Sequence, residues 1–92
     1  MDTPRGAARR GLLKLMMRMP QRRGELQDLW QRDQTFQALC EAYEDATSTY
    51  ERLVTRPLPG DADLIDEYRD LCTGLEQDVE RRCVGQQSPK QA

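Results

Sequence analysis

Leu29–Val54 reads LWQRDQTFQALCEAYEDATSTYERLV, and its apolar spacing decides the fold class. Leu29, Phe36, Leu39, Cys40, Tyr43, Ala46, Tyr50, Leu53 and Val54 recur at three- and four-residue steps. A helix turns once in about 3.6 residues, so these side chains share one stripe, the face a helix turns toward a core. Leu26 and Trp30 extend the stripe back toward Gly24. Asp33 stands at its edge, three residues before Phe36, where a carboxylate can accept from the free backbone N–H groups of a fresh helix start. Two readings stay open: one helix over about 24–55 with a kink near Asp33, or a separate short turn over 25–31. The spacing favours the kinked helix.

Downstream, Thr55-Arg56-Pro57-Leu58-Pro59-Gly60 is a break, because two prolines lack backbone donors and bias the residues before them away from the α region. A further helix then opens on Asp61 or Asp63, with Asp66 and Glu67 near the positive end of its dipole. Its stripe is Leu64, Ile65, Tyr68, Leu71, Cys72, Leu75, Val79 and Cys83. Arg81 and Arg82 fall in its last turn, and Gly85 is placed to end it. A short link between two long amphipathic helices makes them antiparallel neighbours. No strand-like alternation occurs anywhere in the chain.

Upstream, the pattern over about 7–18 is helical as well, and Pro20 ends it. Leu12, Leu13, Met16, Met17 and Met19 fall on one side, with Arg10, Lys14 and Arg18 nearly opposite. Gly6 and Gly11 each cost ~1 kcal/mol relative to alanine, so this helix is marginal alone. It is also where the charge divides. Residues 1–24 hold seven basic residues against the single acid Asp2, a net of +6. The rest of the chain carries a net of −8, giving −2 in all. A basic amphipathic helix can lie on an anionic membrane surface or on nucleic-acid phosphates, fold onto the acidic helices, or bind a partner. The aromatics Trp30, Phe36, Tyr43, Tyr50 and Tyr68 all lie outside the basic segment, so no stacking platform is interleaved with its cations.

The chain has 92 residues, 37% hydrophobic and 33% charged, with a mean hydropathy of −0.88. That is one small domain with a thin core, of a kind that often gains stability from a second copy or a partner. No stretch approaches the roughly 20 apolar residues of a membrane span. The basic segment has some character of an organelle presequence, but Asp2 and the scarcity of serine weaken the match. The expected location is the cytoplasm, with a mitochondrial presequence as the alternative.

Histidine is absent, which removes the commonest general base and metal ligand. Cys40, Cys72 and Cys83 fit neither C-x-x-C spacing nor a closed disulfide framework, so they are read as free thiols in the core. The acids read as solvated helix faces, with Asp28–Arg32, Asp66–Arg69 and Asp78–Arg82 as local pairs. No two carboxylates sit in an apolar setting, so catalytic, metal-binding and cofactor-binding residues are all expected to be none.

Leu29, Asp33, Phe36, Leu39 and Tyr43, the proline-broken loop, then Glu67-Tyr68, Leu71 and Leu75-Glu76 resemble the YdcH-like short helical-hairpin proteins of bacteria. The resemblance spans about residues 26–84. It departs in the acidic second helix and in the long basic arm. It implies a small, cytoplasmic, self-associating α-hairpin and carries no activity. The expected organisation is therefore all-α. A basic arm over 1–23 joins an acidic antiparallel helical hairpin over 24–85 and a disordered tail over 86–92. The arm makes a three-helix, self-associating arrangement. The expected role is a non-enzymatic interaction module, a coiled-coil-like homo-oligomer or a binder of a partner protein, with no small-molecule substrate. The alternative is an anionic-surface binder, on membrane or RNA. The candidate interaction residues are Arg9, Arg10, Lys14, Arg18, Trp30, Phe36, Tyr43, Tyr50 and Tyr68.

Overall fold

The computed structural model describes residues 4–87, and among them every element is helical. α1 (Pro4–Arg18) is followed by one 3-10 turn (Pro20–Arg22), then α2 (Arg23–Arg32), α3 (Gln34–Thr55) and α4 (Ala62–Gln87). The chain is thus all-α, with four helices where the sequence suggested three. Residues 88–92, most of the expected disordered tail, lie outside the described residues, and Gln86 and Gln87 belong to α4.

The fourth helix comes from Asp33, which breaks the segment expected to be one kinked helix. Its backbone is extended, at φ −131° and ψ 102°. Asp33 Oδ1 accepts from the backbone N–H groups of Thr35 at 3.0 Å and Phe36 at 3.2 Å, capping α3. Asp33 Oδ2 accepts from Arg82 Nη1 on α4 at 3.0 Å. Gln37 Nε2 donates to the Trp30 carbonyl at 2.8 Å, satisfying an acceptor at the end of α2. The local pair expected between Asp78 and Arg82 is therefore replaced: Asp78 pairs with Arg81, and Arg82 crosses to Asp33. Asp33→Ala should cost about 1–2 kcal/mol in denaturant unfolding, a lost cap plus a half-exposed ion pair. Asp33→Asn, which can still cap, should recover at least half of that. An unchanged midpoint in Asp33→Ala would refute the cap's contribution.

Pro20 ends α1, and Met19 before it leaves the helical region at φ −128° and ψ 67°. The α3–α4 link turns on Gly60, whose φ of +90° favours glycine. Asp61 Oδ2 accepts from Leu58 N at 2.8 Å and its carbonyl from Ile65 N at 2.8 Å, so Asp61 both closes the loop and starts α4. Gly85 does not end α4 as expected. Cys83 is fully buried in the core, so the turn before Gly85 is packed on the fold and α4 runs on to Gln87.

One core joins Ala8, Leu12, Leu15, Met16 and Met19 of the α1 segment to Leu26, Leu29, Phe36, Cys40, Tyr43, Ala46, Cys72, Val79 and Cys83. α3 and α4 pack antiparallel, as Asp33–Arg82 and Tyr43–Glu76 show. α1 packs most extensively on α3. The closest approach is at Gly11, where an added Cβ would lie 1.9 Å from the Cys40 carbonyl oxygen. This contact sets the rotation of α1 and corrects the expected apolar side. Leu15 is fully buried, while Leu13 is 48% and Met17 78% exposed.

Candidate interaction surface

The cations of α1 lie along the acidic helices rather than opposite them. Arg10 Nε is 3.1 Å from Glu44 Oε2, and Lys14 Nζ is 3.0 Å from Glu44 Oε1. Lys14 directs its hydrogen bond to Thr47 Oγ1 at 2.8 Å, so Glu44 Oε1 is held by charge and accepts no aligned hydrogen bond. Arg18 Nε meets Glu76 Oε2 at 3.3 Å. Arg22 bridges Glu80 at 2.8 Å and Glu25 at 3.1 Å. Glu44 departs from the reading of the acids as solvated faces, since it is only 8% exposed. Burial alone would raise its pKa, but the adjacent Lys14 ammonium and the hydrogen bonds from Arg10 and Ser48 outweigh that and hold the carboxyl below its ordinary value.

Tyr43 Oη donates to Glu76 Oε2 at 2.5 Å. Burial and that carboxylate both push the phenol's pKa up. The cysteines are free and buried. Burial pushes the Cys40 thiol up to about 12, and it raises Cys72 and Cys83 as well. Protonated thiols of this kind are poor nucleophiles and poor metal ligands. Among the described residues no group of His, Cys, Asp or Glu is placed to hold a metal ion, and no helix is long and apolar enough to cross a membrane.

The nine candidate residues fall in different settings. Arg9 is exposed, whereas Arg10, Lys14 and Arg18 are in the ion pairs above. Phe36 and Tyr43 are core, and Trp30 packs against its edge. Tyr50 and Tyr68 are half-buried and pack against the core as well, at the edge of a stretch the fold leaves uncovered. From Thr47 to Leu71 no residue is buried, although this arm carries Tyr50, Leu53, Val54, Leu58, Leu64, Ile65, Tyr68 and Leu71. The last buried residue of α3 is Ala46 and the first of α4 is Cys72, so among the described residues nothing buries the seam between them. The whole molecule is correspondingly long, 54 × 29 × 20 Å.

On α4, Leu64, Tyr68, Leu71 and Leu75 follow at four-, three- and four-residue steps and form one strip about 16 Å long. Leu64 is 39% and Leu71 48% exposed, and Tyr68 and Leu75 are half-buried. Asp63, Glu67 and Asp70 run beside the strip at the same spacing. All three are exposed, and among the described residues none takes part in an ion pair. Leu64 and Leu71 are exposed although the sequence places them in the core-facing stripe, because a broad stripe reads as core, whereas Leu75 does pack against the core. The width of the stripe was the signal, since Ile65, Cys72, Val79 and Cys83 already form a second row. An open cleft of about 640 Å³ also lies at the tip, between the end of α3 and Leu58. No protein-family model matches the chain, nor does any curated protein or solved structure.

Proposed function

We propose that this chain is a non-enzymatic helical interaction module whose docking surface is the arm over residues 48–71. One observation carries the reading: an arm rich in leucine and tyrosine has no buried residue, while the α1-covered half of the same helices is well packed. Two helices bury a single seam, and exposed apolar surface of this kind marks interaction sites. A partner protein fits better than a second copy. The arm holds six acidic residues against three basic, so two copies would bring like charge together. The hairpin resemblance to YdcH-like proteins is compatible with this role and adds no activity to it.

The anionic-surface alternative is weakened by the ion pairs of α1. Arg10, Lys14, Arg18 and Arg22 already face carboxylates, and Leu12, Leu15, Met16 and Met19 are buried and not free to insert in a bilayer. A photo-reactive side chain at Leu71, in the chain expressed in its native host cell, tests the reading. Discrete protein adducts are expected there and not from the same group at exposed Gln27 on α2. Equal labelling at both positions would sink it.

A further inference from the structure

We infer that the partner element covering the α4 strip is a basic amphipathic helix, with cations at three- and four-residue spacing beside an apolar face. This deepens the interaction-module reading and rests on it. The molecule contains the recognition mode already. α1 lays Ala8, Leu12 and Leu15 on the core and carries Arg10, Lys14 and Arg18 at four-residue steps to Glu44 and Glu76.

The distal strip presents the complementary half of the same arrangement, and among the described residues it leaves Leu64 and Leu71 exposed, with Tyr68 and Leu75 half-buried at the edge of the core. Its apolar row, Leu64, Tyr68, Leu71 and Leu75, is bordered by Asp63, Glu67 and Asp70, spaced as successive turns of a facing helix would space cations. The contrast with the covered half supports charge as the selecting element. There Glu25, Glu44, Glu76 and Glu80 all have cationic partners. On the strip the carboxylates have none among the described residues, so a helix bearing Lys or Arg gains three cross-helix pairs as it buries the leucines. A neutral helix gains only the burial. A second copy would bring the same three carboxylates toward themselves, which electrostatic complementarity disfavours.

The test uses the full chain and two synthetic amphipathic peptides with one leucine face. One carries lysine along the border of that face, and the other carries glutamate at the same positions. Isotope-labelled chain is titrated with each and the perturbed residues are mapped by NMR. The lysine peptide is expected to bind and to shift Leu64, Tyr68, Leu71 and Leu75, at least tenfold more tightly than the glutamate peptide. The triple variant Asp63→Asn, Glu67→Gln, Asp70→Asn should weaken the lysine peptide about tenfold, as three half-exposed pairs predict, and leave the helix content unchanged.

Equal binding of the two peptides would overturn the inference, and so would lysine-peptide binding that ignores the triple variant. Absence of lysine-peptide binding would overturn it too, as would a dimer in sedimentation whose dissociation on dilution shifts the strip residues. In each case photo-adducts at Leu71 keep the arm as a docking surface, and their absence removes that reading separately.

Discussion

Gly11→Ala is expected to lift α1 from α3 and to cost about 3 kcal/mol. The added Cβ would lie 1.9 Å from the Cys40 carbonyl oxygen and 2.7 Å from its carbon. Both atoms are backbone in the middle of a helix, so no rotamer change relieves the clash. α1 must move away or rotate, and even a gap of about 0.5–1 Å forfeits a quarter to a half of the contact energy across the seam. The seam includes Leu12, Leu15 and Met16, each worth about 1.5–3 kcal/mol when fully buried. Alanine's higher helix propensity returns only about 1 kcal/mol. Gly74→Ala is the control, because nothing lies within 4 Å of its would-be Cβ. That variant should be more stable than the parent by about 0.5–1 kcal/mol. Denaturant unfolding gives the two signs, and amide exchange should show protection lost over residues 8–19 in Gly11→Ala alone. Two glycine variants of equal stability would refute the close approach.

Gly11 also shows why the sequence disclosed some of the fold and not the rest. The α3 stripe and the Pro57–Gly60 break were legible because each is a local signal: a sustained helical period, then residues that cannot continue a helix. The rotation of α1 was not legible. Leu12-Leu13 and Met16-Met17 are adjacent apolar pairs, so two faces differing by about 100° are nearly equally apolar. The choice is made by where α1 comes closest to another helix, and there a glycine that local propensity counts as a defect is the residue that permits contact. Arg82 repeats the lesson in electrostatics. Sequence offers Asp78 one turn away, but the folded chain supplies Asp33 from another helix, and the nearer Arg81 takes Asp78.

The candidate surface was half legible for a related reason. Tyr50 and Tyr68 are candidates from the sequence because aromatics stand out, and the fold places them half-buried on the arm, against the core. Leu64 and Leu71 were absorbed into the core stripe. Periodicity tells which side of a helix is apolar, not whether another helix is there to cover it. That coverage depends on where the other helices pack, and among the described residues burial stops at Ala46 on α3 and resumes at Cys72 on α4.

Removing the carboxylate at position 44 is expected to loosen α1 by a different route, and with a pH signature. Glu44 is buried and meets Arg10, Lys14 and Ser48. Its folded pKa is depressed from an ordinary value of 4.5. A depressed carboxyl contributes its stability in full above the unfolded value and loses it as pH falls through the folded one. The contribution is therefore constant from neutral pH down to about 5 and declines below 4.5. Glu44→Ala leaves two cations facing each other over a site without its anion. Breaking a fully buried pair costs about 3–5 kcal/mol and an exposed one under about 1. Arg10 and Lys14 keep 43% and 30% of their side-chain surface, so about 2 kcal/mol at pH 7 is expected. Glu44→Gln should show a smaller loss at pH 7 that shrinks as pH falls below the unfolded value of about 4.5 and the parent carboxyl takes up its proton. A gap between Glu44→Gln and the parent that stays constant from pH 7 to pH 3 would show that the charge of Glu44 does not hold α1. The triple variant Arg10→Met, Lys14→Met, Glu44→Leu separates strength from selectivity. Replacing a whole buried charge cluster with apolar groups is often neutral or stabilising. A triple variant as stable as the parent, with Gly11 still against Cys40, would assign the energy of docking to the apolar seam. The three charges would then serve to fix where along α3 the helix sits.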